Sequence, residues 1–315
     1  MRYRTLGNSG LMVSVVGLGC NNFGRRLDVS QTREVVDAAI DVGITLFDTA
    51  ETYGGRGRSE EILGEVLGGR RDEIVLATKF GSQGGDMGYG QAAGAKGSRA
   101  YIRRAVEHSL RRLRTDYIDL YQIHTPDPVT PIEETLEALS EIVRAGKVRY
   151  LGHSNFSGLQ TAVAADAARE LRAVPFISAQ NHWSLLERAA EADIVPAALQ
   201  YGLGVLPYFP LANGLLTGKV RRGVAPKEGS RLYGRDDYIT DAKLDKVEAL
   251  AEWAQEHGLA LLEVAVGGLA ALPGCSSVIA GATSADQVRA NAAAGEWVPS
   301  EDDLADINKI VPLAG

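Results

Sequence analysis

The chain has 315 residues, 45% of them apolar and 23% charged, an ordinary globular balance that excludes a wholly disordered polypeptide. Its formal charge of −7, from 33 basic and 40 acidic residues, argues against a broadly basic nucleic-acid face and leaves room only for a local phosphate pocket. Two cysteines, Cys20 and Cys275, exclude a disulfide framework and a cysteine-based zinc site. The start, Met1-Arg2-Tyr3-Arg4-Thr5-Leu6-Gly7, carries no apolar signal region. The most apolar stretch, 258–272, contains Glu263 and stops at Pro273, short of a bilayer crossing. The expectation is a cytoplasmic protein without membrane or nucleic-acid partners.

In chain order, residues 3–14 show two short extended runs around a Gly/Asn/Ser turn, which predicts an N-terminal β-hairpin over 1–14. Eight apolar, partly β-branched runs follow, at 15–18, 44–47, 74–78, 118–123, 148–152, 176–179, 204–207 and 277–280, with helical patterns between successive runs. Helix starts are read at Ser59, followed by Glu60 and Glu61, at Ser98, and at Thr130-Pro131-Ile132-Glu133, which has the form of a capping box with proline at the first helical position. Repeated βα units whose strands are apolar on both faces imply a parallel sheet with helices outside. Eight units point to a (β/α)₈ TIM barrel formed as one domain over 1–315; a six-stranded open sheet is the alternative. Two long connections interrupt the rhythm, 81–97 with seven glycines and the polar segment 211–240. Loops of that length in a compact domain are commonly functional, and the glycine-rich one is expected to be mobile.

In such barrels the chemistry sits at the C-terminal ends of the strands. Reading past each apolar run gives Asp48, Lys79, His124, Ser154-Asn155, Gln180, Tyr208 and the turn after Ala280. Tyr53 lies on a glycine-rich turn five residues beyond Asp48 and can fold back over it. Singly, each has an ordinary reading: Asp48 as a helix cap, Lys79 as a solvated strand end, His124 as a loop histidine, Tyr53 as a surface or core tyrosine. Together they suit proton transfer to a carbonyl oxygen. An ammonium about 4 Å from a phenol favours the phenolate by roughly 4 kcal/mol at an effective dielectric of ~20, so Lys79 is expected to lower the Tyr53 pKa. Asp48 would keep Lys79 charged, and His124 could hydrogen-bond the carbonyl oxygen.

Other patterns fail. Gly17-Leu18-Gly19-Cys20-Asn21-Asn22 has Asn22 where a dinucleotide fingerprint needs its third glycine, and Gly54-Gly55-Arg56-Gly57-Arg58-Ser59 lacks the spacing and lysine of a phosphate loop. The histidines 108, 124, 153, 182 and 257 form no zinc-protease pair, and no metal site is expected. His108 and His257 lie in helical patterns; His153 and His182, at strand ends, are candidates for the mouth.

Five segments, in this order, closely resemble the aldo-keto reductase family over nearly the whole chain. They are Leu46-Phe47-Asp48-Thr49-Ala50-Glu51-Thr52-Tyr53-Gly54, Thr78-Lys79-Phe80-Gly81, the run from Ser109 to His124, the run from Gly146 to Phe156, and Pro210-Leu211-Ala212-Asn213-Gly214-Leu215-Leu216-Thr217-Gly218-Lys219. The resemblance implies a (β/α)₈ barrel and an NAD(P)H-dependent oxidoreductase that reduces aldehydes or ketones. Tyr53 would be the proton donor, Lys79 and Asp48 its tuning partners, and His124 the substrate-orienting group. It further implies that Ser154, Asn155 and Gln180 hold the nicotinamide carboxamide and that Tyr208 stacks on the ring. Leu211, Gly214 and Leu216 would pass along the pyrophosphate, and Gly281, Thr283, Gln287 and Asn291 would form the adenosine site. Gly19, Cys20, Asn21, Asp48, Phe209 and Lys219 complete the expected cofactor contacts. Substrate specificity is expected in Asn22, Phe23, Met87, Tyr89, Trp183 and Tyr233, beside Tyr53 and His124.

Two departures from the family pattern stand out. The turn at Gly281, Thr283 and Gln287 lacks the Lys or Arg that many members use to grip a 2′-phosphate, so NADP(H) rests on the family and NAD(H) stays open. His153 stands where the family commonly has a small apolar residue. The alternatives are an NAD-dependent sugar or alcohol dehydrogenase of the same family, a cofactor-sensing regulatory subunit like those of potassium channels, and an unrelated barrel that only binds. The channel subunits often carry an N-terminal extension, which the hairpin starting at Tyr3 does not show.

Overall fold

The computed structural model describes residues 1–313; the last two residues of the expected 1–315 domain lie outside the described residues. Strands β1 (Tyr3–Thr5) and β2 (Met12–Ser14) form the antiparallel hairpin. Eight parallel strands follow: β3 (Val16–Gly19), β4 (Leu46–Asp48), β5 (Val75–Phe80), β6 (Ile118–Ile123), β7 (Val148–Ser154), β8 (Phe176–Gln180), β9 (Gly204–Val205) and β10 (Val278–Gly281). They pair in chain order from β3 to β9, with β10 beside β3. Bridges from Val205 to Cys275 and from Tyr208 to Ile279 join the two ends of the sheet and close the barrel.

Helices α1 (Val29–Asp41), α2 (Arg58–Leu67), α3 (Arg99–Leu113), α4 (Ile132–Arg144), α5 (Gly158–Leu171) and α6 (Ile194–Tyr201) follow the strands in alternation and pack outside them. The crossover from β9 to β10 is the long one. It holds the 211–240 segment, α7 (Asp241–Glu256), and α8 (Leu261–Glu263) and α9 (Leu269–Ala271) on either side of a π-helical turn, Val264–Gly268. The chain ends with α10 (Ala285–Ala294) and α11 (Glu301–Ile310). Among the described residues no helix is long and apolar enough to cross a membrane.

Ser98 caps α3 as its sequence suggests, accepting from the Tyr101 amide at 3.3 Å. Two expected caps are not formed. Thr130 donates its hydroxyl to Asp127 Oδ2 at 2.7 Å, and α4 starts after Pro131 without a side-chain cap. Ser59 lies inside α2, whose cap is Gly57; its hydroxyl bonds Thr49 and the Cys20 carbonyl, so it ties the helix to the barrel instead.

The alternation of side chains along each strand sorts the core into two shells. Leu46, Ala77, Leu120, Leu206 and Ile279 fill the barrel interior, and Leu6 and Val13 of the hairpin close it from below. Gly7 permits this closure: its φ is +56°, and a Cβ there would lie 2.5 Å from the Gly202 carbonyl oxygen. Above the apolar layer the inward positions turn polar at Asp48, Lys79, Gln122 and Gln180, all buried.

Outside the barrel wall, Asp119 is 3% exposed and accepts from Arg71 at 2.7 Å, Arg149 at 2.8 Å and the Leu76 amide at 2.9 Å, while the Tyr117 ring lies between the two guanidinium groups. Asp119→Ala strands Arg71 and that amide. Because Arg149 is exposed, the loss should fall below the roughly 3–5 kcal/mol of a fully buried pair, near ~2 kcal/mol in urea unfolding, with ligand binding at the opposite end unchanged.

Candidate active site

The polar layer is a hydrogen-bonded unit. Lys79 has no solvent exposure and donates to Asp48 Oδ2 at 2.5 Å, the Thr49 carbonyl at 3.1 Å and the Tyr53 hydroxyl at 3.3 Å. The other carboxylate oxygen, Asp48 Oδ1, accepts from Gln180 at 2.9 Å and Gln122 at 3.1 Å. Charge on a fully buried lysine is expensive. Burial does work against it, but Asp48 and Tyr53 more than compensate and hold its pKa above the ordinary lysine value. Lys79 is therefore a fixed cation with one hydrogen aimed at a phenol.

Tyr53 reaches this point because Ala50–Tyr53 turns tightly, with the Tyr53 amide bonding the Ala50 carbonyl, and glycines 54, 55 and 57 at positive φ redirect the chain into α2. The expected lowering of the Tyr53 pKa is reversed in sign: burial raises it more than Lys79 lowers it, with Asp48 adding to the rise. The phenol thus stays protonated at neutral pH. A protonated phenol is the form a proton donor needs.

His124 follows β6 directly, edge-on to Tyr53 with ring centroids 5.8 Å apart. Burial, then Lys79 and Lys96, push its pKa down to about 3. It is a neutral imidazole, able to donate from one nitrogen only. Asn155, at φ +62°, donates its side-chain amide to the His124 carbonyl at 2.9 Å and accepts from the Tyr208 hydroxyl at 2.7 Å. Ser154 donates to the Gln180 carbonyl at 2.8 Å.

These groups line one end of an elongated cavity of about 890 Å³. Its walls continue through Phe209, Leu211, Gly214 and Lys219 and end at Gly281, Thr283, Gln287 and Asn291, with Gly19, Asn21 and Asn22 beside Gly281. Among the described residues no group of three or more His, Cys, Asp or Glu is arranged to hold a metal ion.

Several expected contacts lie elsewhere. Cys20 and Leu216 are buried behind the wall. Phe23 has no exposure, Trp183 is buried with its indole donating to Glu191 at 2.9 Å, and Tyr89 donates to Glu51. Met87 packs on the hydrophobic core and Tyr233 is exposed away from the cavity. Of the residues expected to set substrate specificity, Asn22, Tyr53 and His124 line the cavity, and Phe23, Met87, Tyr89, Trp183 and Tyr233 do not. His153 also points outward, stacked on Phe156 and within 3.3 Å of the Thr161 hydroxyl on α5, which accounts for its tolerance next to Ser154. His182 stacks on Tyr208 behind the wall.

Two residues were missed. Gln122 had a signal, a lone amide in an apolar strand. Arg231 had none, because the 211–240 segment folds back over the cavity only in three dimensions. Its guanidinium lies 5.1 Å over the Phe209 ring and bonds Asn21 Oδ1 at 3.4 Å. Burial, then Arg26 and Arg25, lower its pKa. Among the described residues, the cavity-lining cations Arg26, Lys219, Lys227 and Arg231 have no carboxylate oxygen within 4.0 Å.

The family model for the Aldo/keto reductase family matches residues 15–312. The chain belongs to the aldo-keto reductase family. It is 38% identical to an uncharacterized oxidoreductase, YrpG, of Bacillus subtilis (strain 168), with 100% of this chain and 97% of the relative covered. It is 36% identical to a probable voltage-gated potassium channel subunit beta of Oryza sativa subsp. japonica (95% and 92%). It is 34% identical to the L-glyceraldehyde 3-phosphate reductase of Escherichia coli (strain K12) (92% and 86%). Membership makes this aldo-keto reductase a carbonyl-reducing oxidoreductase, in a family that generally uses nicotinamide cofactors.

His153 supplies a pH test that is independent of turnover. Its folded pKa is about 3 because of burial, whereas the unfolded side chain titrates near 6.5. Between these values the unfolded chain binds the extra proton, so stability falls as pH drops, by about 1.4 kcal/mol per pH unit for this group. His153→Gln should flatten the stability–pH slope below pH 6.5 by that amount, measured by urea unfolding at pH 7, 6 and 5.

Proposed function

We propose that the protein reduces a small aldehyde or ketone with a nicotinamide dinucleotide, with Tyr53 delivering the proton to the carbonyl oxygen. The observation that carries this is the protonated Tyr53 hydroxyl 3.3 Å from a buried lysine that is itself paired to Asp48. Lys79 holds its positive charge beside the phenol throughout, so negative charge appearing on Tyr53 as the proton leaves meets a fixed cation without solvent rearrangement. Neutral His124 can orient the carbonyl oxygen by a single hydrogen bond.

The residues present suit such a cofactor. The cavity offers an amide-matching set, Ser154, Asn155 and Gln180, beside the Tyr208 ring, unpaired cations along its length, and polar Thr283, Gln287 and Asn291 at the far end. Bound there, the dinucleotide supplies the hydride. Arg231 and Lys219 would hold its phosphates, and the backbone at Asn213 and Gly214, both at positive φ, gives the chain a close approach to them.

The basic lining also bears on cofactor choice. The 281–287 turn offers no cation, since Arg289 pairs with Asp286, but Arg231 and its neighbours supply positive charge from the 211–240 segment. This favours the phosphate-rich NADP(H) and the reductive direction over the NAD-dependent dehydrogenase reading.

Two measurements test this. Tyr53→Phe should lower kcat for a reactive aromatic aldehyde by about 10²–10⁴-fold, with cofactor affinity retained in fluorescence titration; full turnover in the variant would overturn the assignment. Arg231→Ala should weaken NADPH binding by about 10-fold or more and NADH binding less, reflecting a lost charge-assisted contact of roughly 1.5–3 kcal/mol. Tight cofactor binding with no turnover across a broad carbonyl panel would instead support the regulatory-subunit reading, which the channel-subunit relatives motivate.

A further inference from the structure

Glu51 is a fully buried carboxylate, and among the described residues no cation is in contact with it. Oε1 accepts from the Gly81 amide at 2.8 Å and the Tyr101 hydroxyl at 2.9 Å, and Oε2 accepts from the Tyr89 hydroxyl at 3.1 Å. Three donors converge on two oxygens, which is the chemistry of a group that only accepts. Burial raises its pKa, opposed by these hydrogen bonds.

The position of this group matters more than its strength. Glu51 stands two residues before Tyr53, and its own amide donates to the Lys79 carbonyl at 3.0 Å. Gly81, which donates to its side chain, stands two residues after Lys79. One residue therefore grips the backbone at Lys79 and again at Gly81, on both sides of Phe80, by its main chain and by its carboxylate. It also fastens the turn carrying Tyr53 to the end of the strand carrying Lys79. Tyr89 and Tyr101 add the glycine-rich 81–97 connection and α3 to the same point. Lys79 and Tyr53 come from different elements, and they meet at 3.3 Å only if those elements keep this register.

We propose that Glu51 is a positioning residue that sets the Tyr53–Lys79 separation. It touches neither the cavity nor the reacting atoms, and it works as a brace through the backbone rather than as a charge. The inference rests on Tyr53 and Lys79 serving the proton transfer proposed above.

The brace distinguishes two variants. In Glu51→Gln the amide oxygen still accepts from Gly81, and the amide nitrogen can donate to the Tyr89 hydroxyl oxygen. In Glu51→Ala both oxygens are gone. Turnover of an aromatic aldehyde with NADPH, in ordinary and deuterated water, should show kcat within about 3-fold of wild type for Glu51→Gln and at least 30-fold lower for Glu51→Ala. In Glu51→Ala the cofactor Kd should be unchanged and the solvent isotope effect on kcat larger, because proton transfer has become limiting. Amide hydrogen exchange followed by mass spectrometry, without any ligand, should speed up at least 10-fold in the peptides covering 49–57 and 79–90 of Glu51→Ala and remain near wild type in Glu51→Gln.

Unchanged kcat and exchange in Glu51→Ala would overturn the brace. So would equal losses in both variants, since that would make the charge the active feature. If Glu51→Ala does not fold, the double variant Tyr89→Phe/Tyr101→Phe decides: a kcat loss of 3-fold or more with a raised isotope effect supports the brace, and wild-type values refute it. Tyr53→Phe assayed alongside separates the two levels. Full turnover there removes the proton-transfer reading itself, whereas lost turnover there with unaffected Glu51 variants removes only the brace.

Discussion

A lysine without solvent contact can stay charged only if its surroundings are built for it, and much of the upper barrel answers that requirement. Lys79 meets Asp48 at 2.5 Å, and Asp48 in turn receives two glutamine amides from β6 and β8. Removing one partner of such a pair leaves an uncompensated buried charge, which costs about 3–5 kcal/mol. The pair is tolerated because four strands of a closed parallel sheet, β4, β5, β6 and β8, aim their last inward side chains at one small volume. The same geometry keeps water out, so each hydrogen bond there acts in a medium of low polarisability.

From that pair the division of labour across the molecule follows. The lower end of the barrel is apolar and plugged by the hairpin, so it contributes cohesion. The upper end spends stability on polar groups that the core would not choose. Tyr53 and His124 both retain the neutral form, each held there first by burial, and Lys79 retains the charged form because Asp48 and Tyr53 outweigh its burial. Three titratable groups at the end of one cavity, two lining it and Lys79 buried beneath, are thus each fixed in one protonation state. Such an arrangement suits a step in which a proton leaves a phenol and negative charge must be met at once.

The second organising element is the long β9–β10 crossover. It brings Arg231 back over the cavity and onto Phe209, where the guanidinium is partly desolvated and, among the described residues, has no carboxylate partner. An uncompensated cation of this kind is costly to the isolated protein and favourable once an anion arrives. The acidic surface as a whole, at −7, leaves this inner strip as a local exception.

What the sequence determined by itself was the repeat and its polar ends. Eight apolar runs separated by helical patterns specify a parallel sheet layered with helices, because strands apolar on both faces must be covered on both, and their number points to a barrel. The residues following those runs include Asp48, Lys79 and His124 because alternation and strand length are local properties. Legible in the same way was the Ser98 cap. Beyond sequence reach were features that depend on what a side chain meets from far along the chain. Phe23 and Trp183 read as specificity residues, and only packing placed them in the core. Thr130 and Ser59 read as caps, yet each found a closer partner in another segment. The sign of the Tyr53 shift depended on burial, a property of the assembled barrel that no local motif encodes. Arg231 gave no signal because its role depends on where a thirty-residue connection comes to rest. Local periodicity fixes which way a side chain leaves its strand; only the closed tertiary structure decides what dielectric, charge and partner await it there.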